Sequence, residues 1–328
     1  MIKKILMKSL KIGLTLIISF CFVAYFVHRI KTSSLMREPL ELDMSRKHFG
    51  FYENEIKEID PQMEIVGMFN DFPAISKEKM LYNASNSKIS FITLQVQDNY
   101  DYDKLIDGYY DEELTSYFQE LSKILKRDVC IIRLCHEMEF YFYNNNSWYP
   151  WQDLPPKKYI NIYRKIVDVS RTIPDLNIKW AWSPYSLKDK KVIEYYPGDD
   201  YADFIGTTIN MHTFNAEMKK RVSSYEYRFN KFVDMKFVRS MKKPLFITET
   251  GISAYIENEK GKEVIDERLD ELLKRYKETD EIFGMMYLDL PIVKTDDGRS
   301  SFFKIQDRAK FLPEIKEIIP YTGKYTKK

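Results

Sequence analysis

Short apolar runs recur along the chain, and most of them are rich in β-branched and aromatic side chains. Runs of this length and composition favour buried β-strands over helices. Polar segments separate them, so each run predicts one strand. The eight predicted strands cover residues 47–53, 63–70, 88–96, 129–137, 178–183, 203–210, 244–250 and 282–289.

Two of the segments between these runs have a helical hydrophobic period. In residues 112–127 and 263–279 apolar side chains recur every three or four positions, which predicts amphipathic helices with one buried face. Strands that alternate with helices indicate an α/β fold, and eight of them predict a (β/α)₈ TIM barrel over residues 46–318. The buried stripes comprise Leu114, Tyr117, Phe118, Leu121, Ile124 and Leu125 in the first helix and Ile265, Leu269, Leu272, Leu273 and Tyr276 in the second.

The N-terminus has the pattern of a membrane anchor. Four lysines precede an uncharged run at residues 12–27, and fewer basic residues follow it. This charge asymmetry predicts a cytoplasmic N-terminus. We expect a single transmembrane signal-anchor helix within residues 1–29 and a linker at residues 30–45, with the folded domain outside the cytoplasm at the cell membrane. A cleaved signal peptide, which would give a secreted protein, is the alternative. Residues 319–328 are predicted to form a basic tail.

Charge and cysteine content exclude some classes of function. The chain has 51 basic and 49 acidic residues, a net charge of +2, which is not the basic excess that nucleic-acid binding requires. Cys21 lies in the N-terminal apolar run. Cys130 and Cys135 are predicted to point to opposite faces of one strand. No disulfide framework, metal-binding spacing or cofactor motif is therefore predicted.

Two of the predicted strands end in carboxylates. The run at 129–137 changes from apolar residues to Arg133, His136 and Glu137, and the run at 244–250 ends near Glu249. Charged residues are expected where barrel strands deliver catalytic groups to the C-terminal mouth. In the fourth and seventh strands, the two glutamates would face each other across that mouth. Paired carboxylates suit cleavage of a glycosidic bond, in which one protonates the leaving oxygen and the other attacks the anomeric carbon or activates water.

Aromatic residues follow the first of these carboxylates. Trp148, Tyr149 and Trp151 cluster around Pro150, and Trp182 ends the fifth predicted strand. A sugar ring offers apolar C–H faces for stacking on such rings. We therefore expect Trp148, Trp151 and Trp182 to contact a carbohydrate.

Four segments in this order resemble one known family. Residues 133–138 and 148–151 are similar to the fourth-strand signature of glycoside hydrolase family 26, and residues 180–184 to its fifth strand. Residues 195–206 resemble the approach to its sixth strand, and residues 247–251 its seventh. The resemblance covers roughly residues 45–315.

This resemblance implies a retaining (β/α)₈ glycosidase that acts on a β-linked polysaccharide or oligosaccharide. Members of glycoside hydrolase family 26 are mostly β-mannanases, with some β-glucanases and β-xylanases. The resemblance therefore implies an endo-β-1,4-mannanase as the leading expectation. The implied roles are acid/base for Glu137 and nucleophile for Glu249. His136 would hold a sugar hydroxyl, and Arg133 would orient the carboxylates.

The chain departs from the family pattern in two places. The family usually has Asn-Gly after Met138, where this chain has Glu139 and Phe140 followed by an insertion at 141–147. The sixth strand of the family usually ends near a tyrosine that contacts the nucleophile. Here Asn210 takes that place, and His212 is a further candidate for substrate binding.

Other functions are compatible with the same pattern. A β-glucanase or an exopolysaccharide-processing glycosidase would use the same two glutamates. A non-catalytic glycan-binding or polysaccharide-assembly protein on this fold would suit a membrane anchor. A metal-dependent esterase or another barrel hydrolase is not supported, because the chain has no His/Asp ligand cluster and no Gly-x-Ser-x-Gly elbow.

Overall fold

The computed structural model describes residues 41–52, 64–87, 89–140, 147–185, 190–212, 225–255, 262–290, 293–294 and 300–302. The predicted anchor at residues 1–29 and the predicted tail at 319–328 lie outside these ranges. Within the ranges, no helix is both long enough and apolar enough to cross a membrane.

Eight parallel strands form a closed barrel. Each strand pairs with the strand before and after it in the chain, and the pairing of the first strand with the eighth closes the circle. All eight strands predicted from the apolar runs are present, so the predicted barrel is confirmed. They are β1 (His48–Tyr52), β2 (Ile65–Phe72), β3 (Ile89–Val96), β4 (Cys130–Leu134), β5 (Ile178–Trp182), β6 (Phe204–His212), β7 (Leu245–Tyr255) and β8 (Ile282–Leu288).

Helices lie in the connections between the strands and cover the outside of the barrel. Both predicted stripes are buried, from Leu114 to Leu125 and from Ile265 to Tyr276. Burial of each Leu or Ile side chain contributes about 1.5–3 kcal/mol. The helices are α1 (Lys77–Asn86), α2 (Tyr102–Ile106), α3 (Asp111–Leu125), α4 (Pro156–Arg171), α5 (Tyr225–Asp234), α6 (Lys236–Met241) and α7 (Lys262–Glu278), with a 3₁₀ helix at Lys190–Tyr195.

Two strand ends differ from the predicted ones by three residues or more, and the other boundaries agree within two residues. β4 ends at Leu134, three residues before the predicted end at Glu137. β7 continues to Tyr255, and β10 (Ser300–Phe302) pairs with this extension in the antiparallel direction. β9 (Val293–Lys294) pairs with β10. β4 ends early because Cys135 adopts a left-handed backbone conformation, and β7 continues because Ile252, Ala254 and Tyr255 extend its apolar run beyond Thr250.

An aromatic layer fills the barrel near the start of its strands. Phe204 stacks on Phe283 with ring centroids 5.5 Å apart, and Phe246 packs against Phe91 at 5.7 Å. A Cβ atom at Gly284 would lie 2.2 Å from the Phe246 ring, so only glycine permits this contact. The layer closes the end opposite the mouth and supports the polar residues above it.

Part of the predicted linker packs onto the barrel. Leu42 is buried, and the ring of His48 forms a 2.8 Å hydrogen bond with the backbone oxygen of Asp43. The chain is therefore held against the barrel before β1 begins. Cys130 and Cys135 are buried free thiols, and Cys135 lies beyond the end of β4 rather than within the strand.

Candidate active site

The backbone after β4 turns sharply to bring Glu137 into the mouth. Cys135 has a φ angle of 41° and Glu137 one of 55°, values that residues with a side chain rarely adopt. Backbone hydrogen bonds hold the turn on both sides. The Cys135 amide donates to the carbonyl of Leu94 on β3 (3.0 Å), and the Glu137 amide donates to that of Ser183 after β5 (2.8 Å). Glu137 is thus fixed by the strands that flank β4.

Arg133 connects the two predicted catalytic glutamates. Its side chain is fully buried, and its Nη1 lies 2.7 Å from Oε2 of Glu249. Its Nη2 lies 3.4 Å from Oε1 of Glu137 and donates to Oγ1 of Thr208 at 2.8 Å. Its Nε donates to Oγ of Ser183 at 3.0 Å. One guanidinium therefore holds both carboxylates, as the predicted orienting role of Arg133 requires.

The two carboxylates lie close together. One oxygen of Glu137, one of Glu249 and one ring nitrogen of His136 lie within 4.8 Å of one another, and all three residues are buried. Three such groups could hold a metal ion on distance alone. The charge of Arg133 already compensates the carboxylates, however, and would repel a cation placed between them. The cluster suits acid–base chemistry better.

Glu137 has the protonation behaviour of a general acid. Burial disfavours its charged form and, together with the negative charge of Glu249, raises the pKa of Glu137 to about 7. Arg133 and the hydroxyl of Thr208 act in the opposite direction but do not cancel this rise. A carboxyl with this pKa is protonated in about half of the molecules at pH 7 and in most of them below it, so Glu137 can donate a proton.

The hydroxyl of Thr208 gives a prediction for the pH profile. Thr208 accepts a hydrogen bond from Arg133 and donates its own proton to Oε1 of Glu137, which lowers the pKa of that carboxyl. Thr208→Val removes the hydroxyl and raises the pKa of Glu137. The acid then stays protonated to higher pH, so the alkaline limb of the kcat/KM profile should move to higher pH.

The matched control is Thr250→Val. Thr250 is also buried, but its hydroxyl donates to the backbone oxygen of Ile209. This variant should leave the alkaline limb in place. Equal displacement in both variants, or none in Thr208→Val, would contradict the assignment of that limb to Glu137.

Glu249 lies in an irregular part of β7. The register with β6 pairs Thr207 with Ile247 but Thr208 with Glu249, so Thr248 is the additional residue of a β-bulge. The Thr248 hydroxyl lies 2.6 Å from that of Ser183, and its backbone oxygen accepts from Tyr52 at 3.0 Å. Bulges of this kind re-aim a neighbouring side chain. Here Glu249 points to Arg133.

Asn210 also contacts Glu249. Its Nδ2 donates to Oε1 of Glu249 at 3.2 Å, while Arg133 binds the other oxygen. The position that the family usually fills with tyrosine is therefore beside the predicted nucleophile in this chain as well. Thr208, which binds Glu137, was not identified from the sequence. The signal was present, because alternate residues of a strand share a face and Thr208 precedes Asn210 by two.

His136 is held by an aromatic group. Its ring centroid lies 5.0 Å from that of Tyr149 and 5.9 Å from that of Trp151. The Trp151 indole donates to the backbone oxygen of His136 at 2.7 Å, and the Tyr149 ring stacks on Trp151 at 4.6 Å. Burial lowers the pKa of His136 well below its ordinary value, so the imidazole is neutral. A neutral ring beside both carboxylates can hydrogen-bond a sugar hydroxyl without adding charge.

The three predicted stacking residues differ in exposure. Trp148 is 50% exposed and packs on Phe140 with centroids 4.6 Å apart. Trp151 is 1% exposed and supports His136, while Trp182 is fully buried against Tyr196. Only Trp148 of these three offers an open ring face in this structure. The expected stacking of a sugar ring on Trp148, Trp151 or Trp182 remains a prediction. His212 ends β6, and its side chain lies outside the described residues.

Solved structures resemble this barrel. The catalytic domain of the GH26 endo-β-1,4-mannanase from Bacillus sp. JAMB-750 has a TM-score of 0.56 and 15% identity, over 84% of this chain and 86% of that chain. A modular endo-β-1,4-mannanase from Cellulomonas fimi has a TM-score of 0.56 and 16% identity, over 84% and 71%. At these sequence identities the similarity shows a shared fold only. No curated protein sequence gives a significant match.

The family itself follows from the sequence. The model of Glycosyl hydrolase family 26 matches residues 56–279, which is more than half of the 328 residues. The match includes both glutamates, Arg133 and the β6 residues that contact them. This protein therefore belongs to glycosyl hydrolase family 26.

Proposed function

We propose that this protein is a retaining endo-glycosidase that cleaves a β-linked polysaccharide, with β-1,4-mannan as its substrate. The observation that supports this proposal most is the pair formed by Glu137 and Glu249, which Arg133 joins. One carboxylate oxygen of Glu137 lies within 4.8 Å of one carboxylate oxygen of Glu249. Retaining glycosidases place their carboxyl groups about 5–5.5 Å apart, whereas inverting enzymes need about 6.5–9.5 Å to admit a water molecule.

In the first step, Glu249 attacks the anomeric carbon while Glu137 gives its proton to the glycosidic oxygen. The bond between that carbon and oxygen breaks, and the leaving sugar departs with the proton. A glycosyl ester of Glu249 remains. Arg133 holds the Glu249 carboxylate in place for the attack through its 2.7 Å contact.

In the second step, Glu137 acts as a base. Esterification removes the negative charge of Glu249, which is one of the two causes of the raised pKa of Glu137. The pKa of Glu137 therefore falls after the first step, and its carboxylate can take a proton from water. The resulting hydroxide attacks the anomeric carbon, the ester bond breaks, and Glu249 is restored. Two displacements at one carbon retain its β-configuration.

The choice of mannan is supported by the two solved structures that this barrel resembles, both of which are endo-β-1,4-mannanases. The loop around Glu139 and Phe140 departs from the family pattern and lies against Tyr185 and the exposed Trp148. Because these residues are beside the mouth, they are where a preference for another β-linked polymer would arise.

The test is hydrolysis by the full chain of β-1,4-mannan, mixed-linkage β-glucan, a soluble cellulose derivative and β-xylan. We expect reducing ends from mannan, and NMR of the first products should show the β-anomer before mutarotation. Hydrolysis of β-glucan alone would replace the proposed substrate and keep the mechanism. An α-anomer as the first product would contradict retention. Binding to a polymer without any cleavage would favour a glycan-binding protein.

A further inference from the structure

The turn after β4 holds two residues in a backbone conformation that side chains disfavour. Cys135 has a φ angle of 41° and Glu137 one of 55°, both in the left-handed region. Such conformations persist where surrounding contacts fix them. The amides of these two residues donate to the carbonyl groups of Leu94 and Ser183. Because a buried carbonyl group needs a partner as much as a buried amide does, the two carbonyl groups of this turn require donors as well.

Two side chains donate to these carbonyl groups. The Trp151 indole donates to the backbone oxygen of His136 at 2.7 Å, and the Tyr159 hydroxyl on α4 donates to that of Cys135 at 3.2 Å. Cys135, Trp151 and Tyr159 are each 1% exposed. Bulk water cannot replace a lost donor there, so removal of the Tyr159 hydroxyl leaves the Cys135 carbonyl buried without this partner. Tyr159 has no part in the mechanism above.

The position of Tyr159 is fixed by packing. Its ring lies against Tyr195 with centroids 5.7 Å apart and against Tyr163 at 6.0 Å. Burial raises the pKa of Tyr159 well above its ordinary value, so the hydroxyl keeps its proton and can donate it to the carbonyl. That carbonyl belongs to the peptide between Cys135 and the next residue. A rotation of this peptide would move the backbone that carries Glu137.

We propose that Tyr159 is a positioning residue whose hydroxyl, through the Cys135 carbonyl, holds the turn in the conformation that aims the proton of Glu137 at the glycosidic oxygen. This inference rests on the proposed function. A catalytic group that is misplaced by about 1 Å can lose about 10²-fold in rate, so a contact behind the strand can control proton transfer. Glu249 lies on β7 and is held by Arg133, so its attack on the anomeric carbon should not depend on Tyr159.

The experiment separates proton transfer from the rest of the reaction. Tyr159→Phe removes the hydroxyl and keeps the ring. The matched control is Tyr163→Phe, one helical turn later, because the Tyr163 hydroxyl is buried and has no hydrogen-bond partner within the described part of the chain. The full chain and both variants are compared by kcat/KM on two β-mannobiosides. Dinitrophenol leaves without a proton, whereas methoxyphenol needs one. If the polymer panel identifies another sugar, the probes carry that sugar.

We expect Tyr159→Phe to lower kcat/KM about tenfold for the methoxyphenyl glycoside and less than about twofold for the dinitrophenyl glycoside, a fraction of the 10²–10⁴-fold that a general acid contributes. Tyr163→Phe should keep the parental values for both. Equal losses on both glycosides in Tyr159→Phe, or no loss on either, would overturn the inference and leave the proposed function standing. Failure of Tyr159→Phe to fold would also overturn it, because the hydroxyl would then act on stability.

A double variant tests whether the effect passes through Glu137. When Glu137→Ala has already removed the acid, the further change Tyr159→Phe should cause no additional loss of kcat/KM on the methoxyphenyl glycoside. An additional tenfold loss would mean that the hydroxyl acts on other groups, and the inference would be wrong. A parent chain that hydrolyses none of the glycosides or polymers would overturn the proposed function, and the inference with it.

Discussion

Replacement of Glu249 by alanine is expected to reduce hydrolysis of the polymer by about 10⁴-fold or more, as for other nucleophiles that act as part of a unit. Glu249 supplies the only protein atom that bonds to the anomeric carbon in the proposed mechanism. Its removal leaves no covalent route, although Glu137 and Arg133 remain. The measurement is the initial rate of reducing-end release, with Glu120→Ala on the surface of α3 as a control that should retain parental activity.

Added azide distinguishes the roles of the two glutamates. In Glu249→Ala, azide can enter the space of the lost carboxylate, attack the anomeric carbon of a dinitrophenyl glycoside and give the inverted α-azide. In Glu137→Ala, the activated leaving group departs without a proton, and azide then attacks the ester of Glu249 to give the β-azide. The same anomer from both variants would mean that the two roles are assigned wrongly.

Replacement of Arg133 by methionine is expected to lower the free energy of unfolding by about 3–5 kcal/mol, because it leaves a buried carboxylate without its partner. Arg133 is fully buried and lies 2.7 Å from Oε2 of Glu249. Its loss also frees the hydroxyls of Ser183 and Thr208 that it binds. Activity should fall with stability, since neither carboxylate keeps its orientation. Chemical denaturation measures the first effect.

Two further variants test the cause of this destabilisation. In Arg133→Met combined with Glu249→Gln the unpaired charge is absent, so part of the lost stability should return. Arg127→Met breaks an exposed ion pair with Asp175 and should change stability by about 0.5 kcal/mol or less. A single Arg133→Met variant as stable as the parent would show that the ion pair with Glu249 does not stabilise the fold.

The barrel could be predicted because its signals are local. The apolar runs and the stripes of α3 and α7 give the order and type of the elements. Glu137 and Glu249 could be predicted to meet, since the ends of parallel barrel strands converge on one mouth. Their separation could not, because it depends on side-chain rotamers and on the contact with Arg133.

The details that aim the catalytic side chains have no clear signal in one sequence. The left-handed backbone at Cys135 is stabilised by a hydrogen bond to Leu94, which is distant in the chain. The bulge at Thr248 depends on the register with β6. The burial of Trp151 likewise depends on its hydrogen bond to His136. In each case a tertiary contact decides the local conformation.

In the proposed mechanism Glu249 forms a covalent bond to the sugar while Glu137 donates and accepts the proton. The most direct test is to incubate the full chain with a dinitrophenyl β-glycoside that carries fluorine in place of the 2-hydroxyl, which slows breakdown of the ester. Peptide mass spectrometry then locates the attached sugar. We expect a glycosyl group on Glu249, in the parent chain and also in Glu137→Ala. A label on another residue, or an active chain that never becomes labelled, would contradict it.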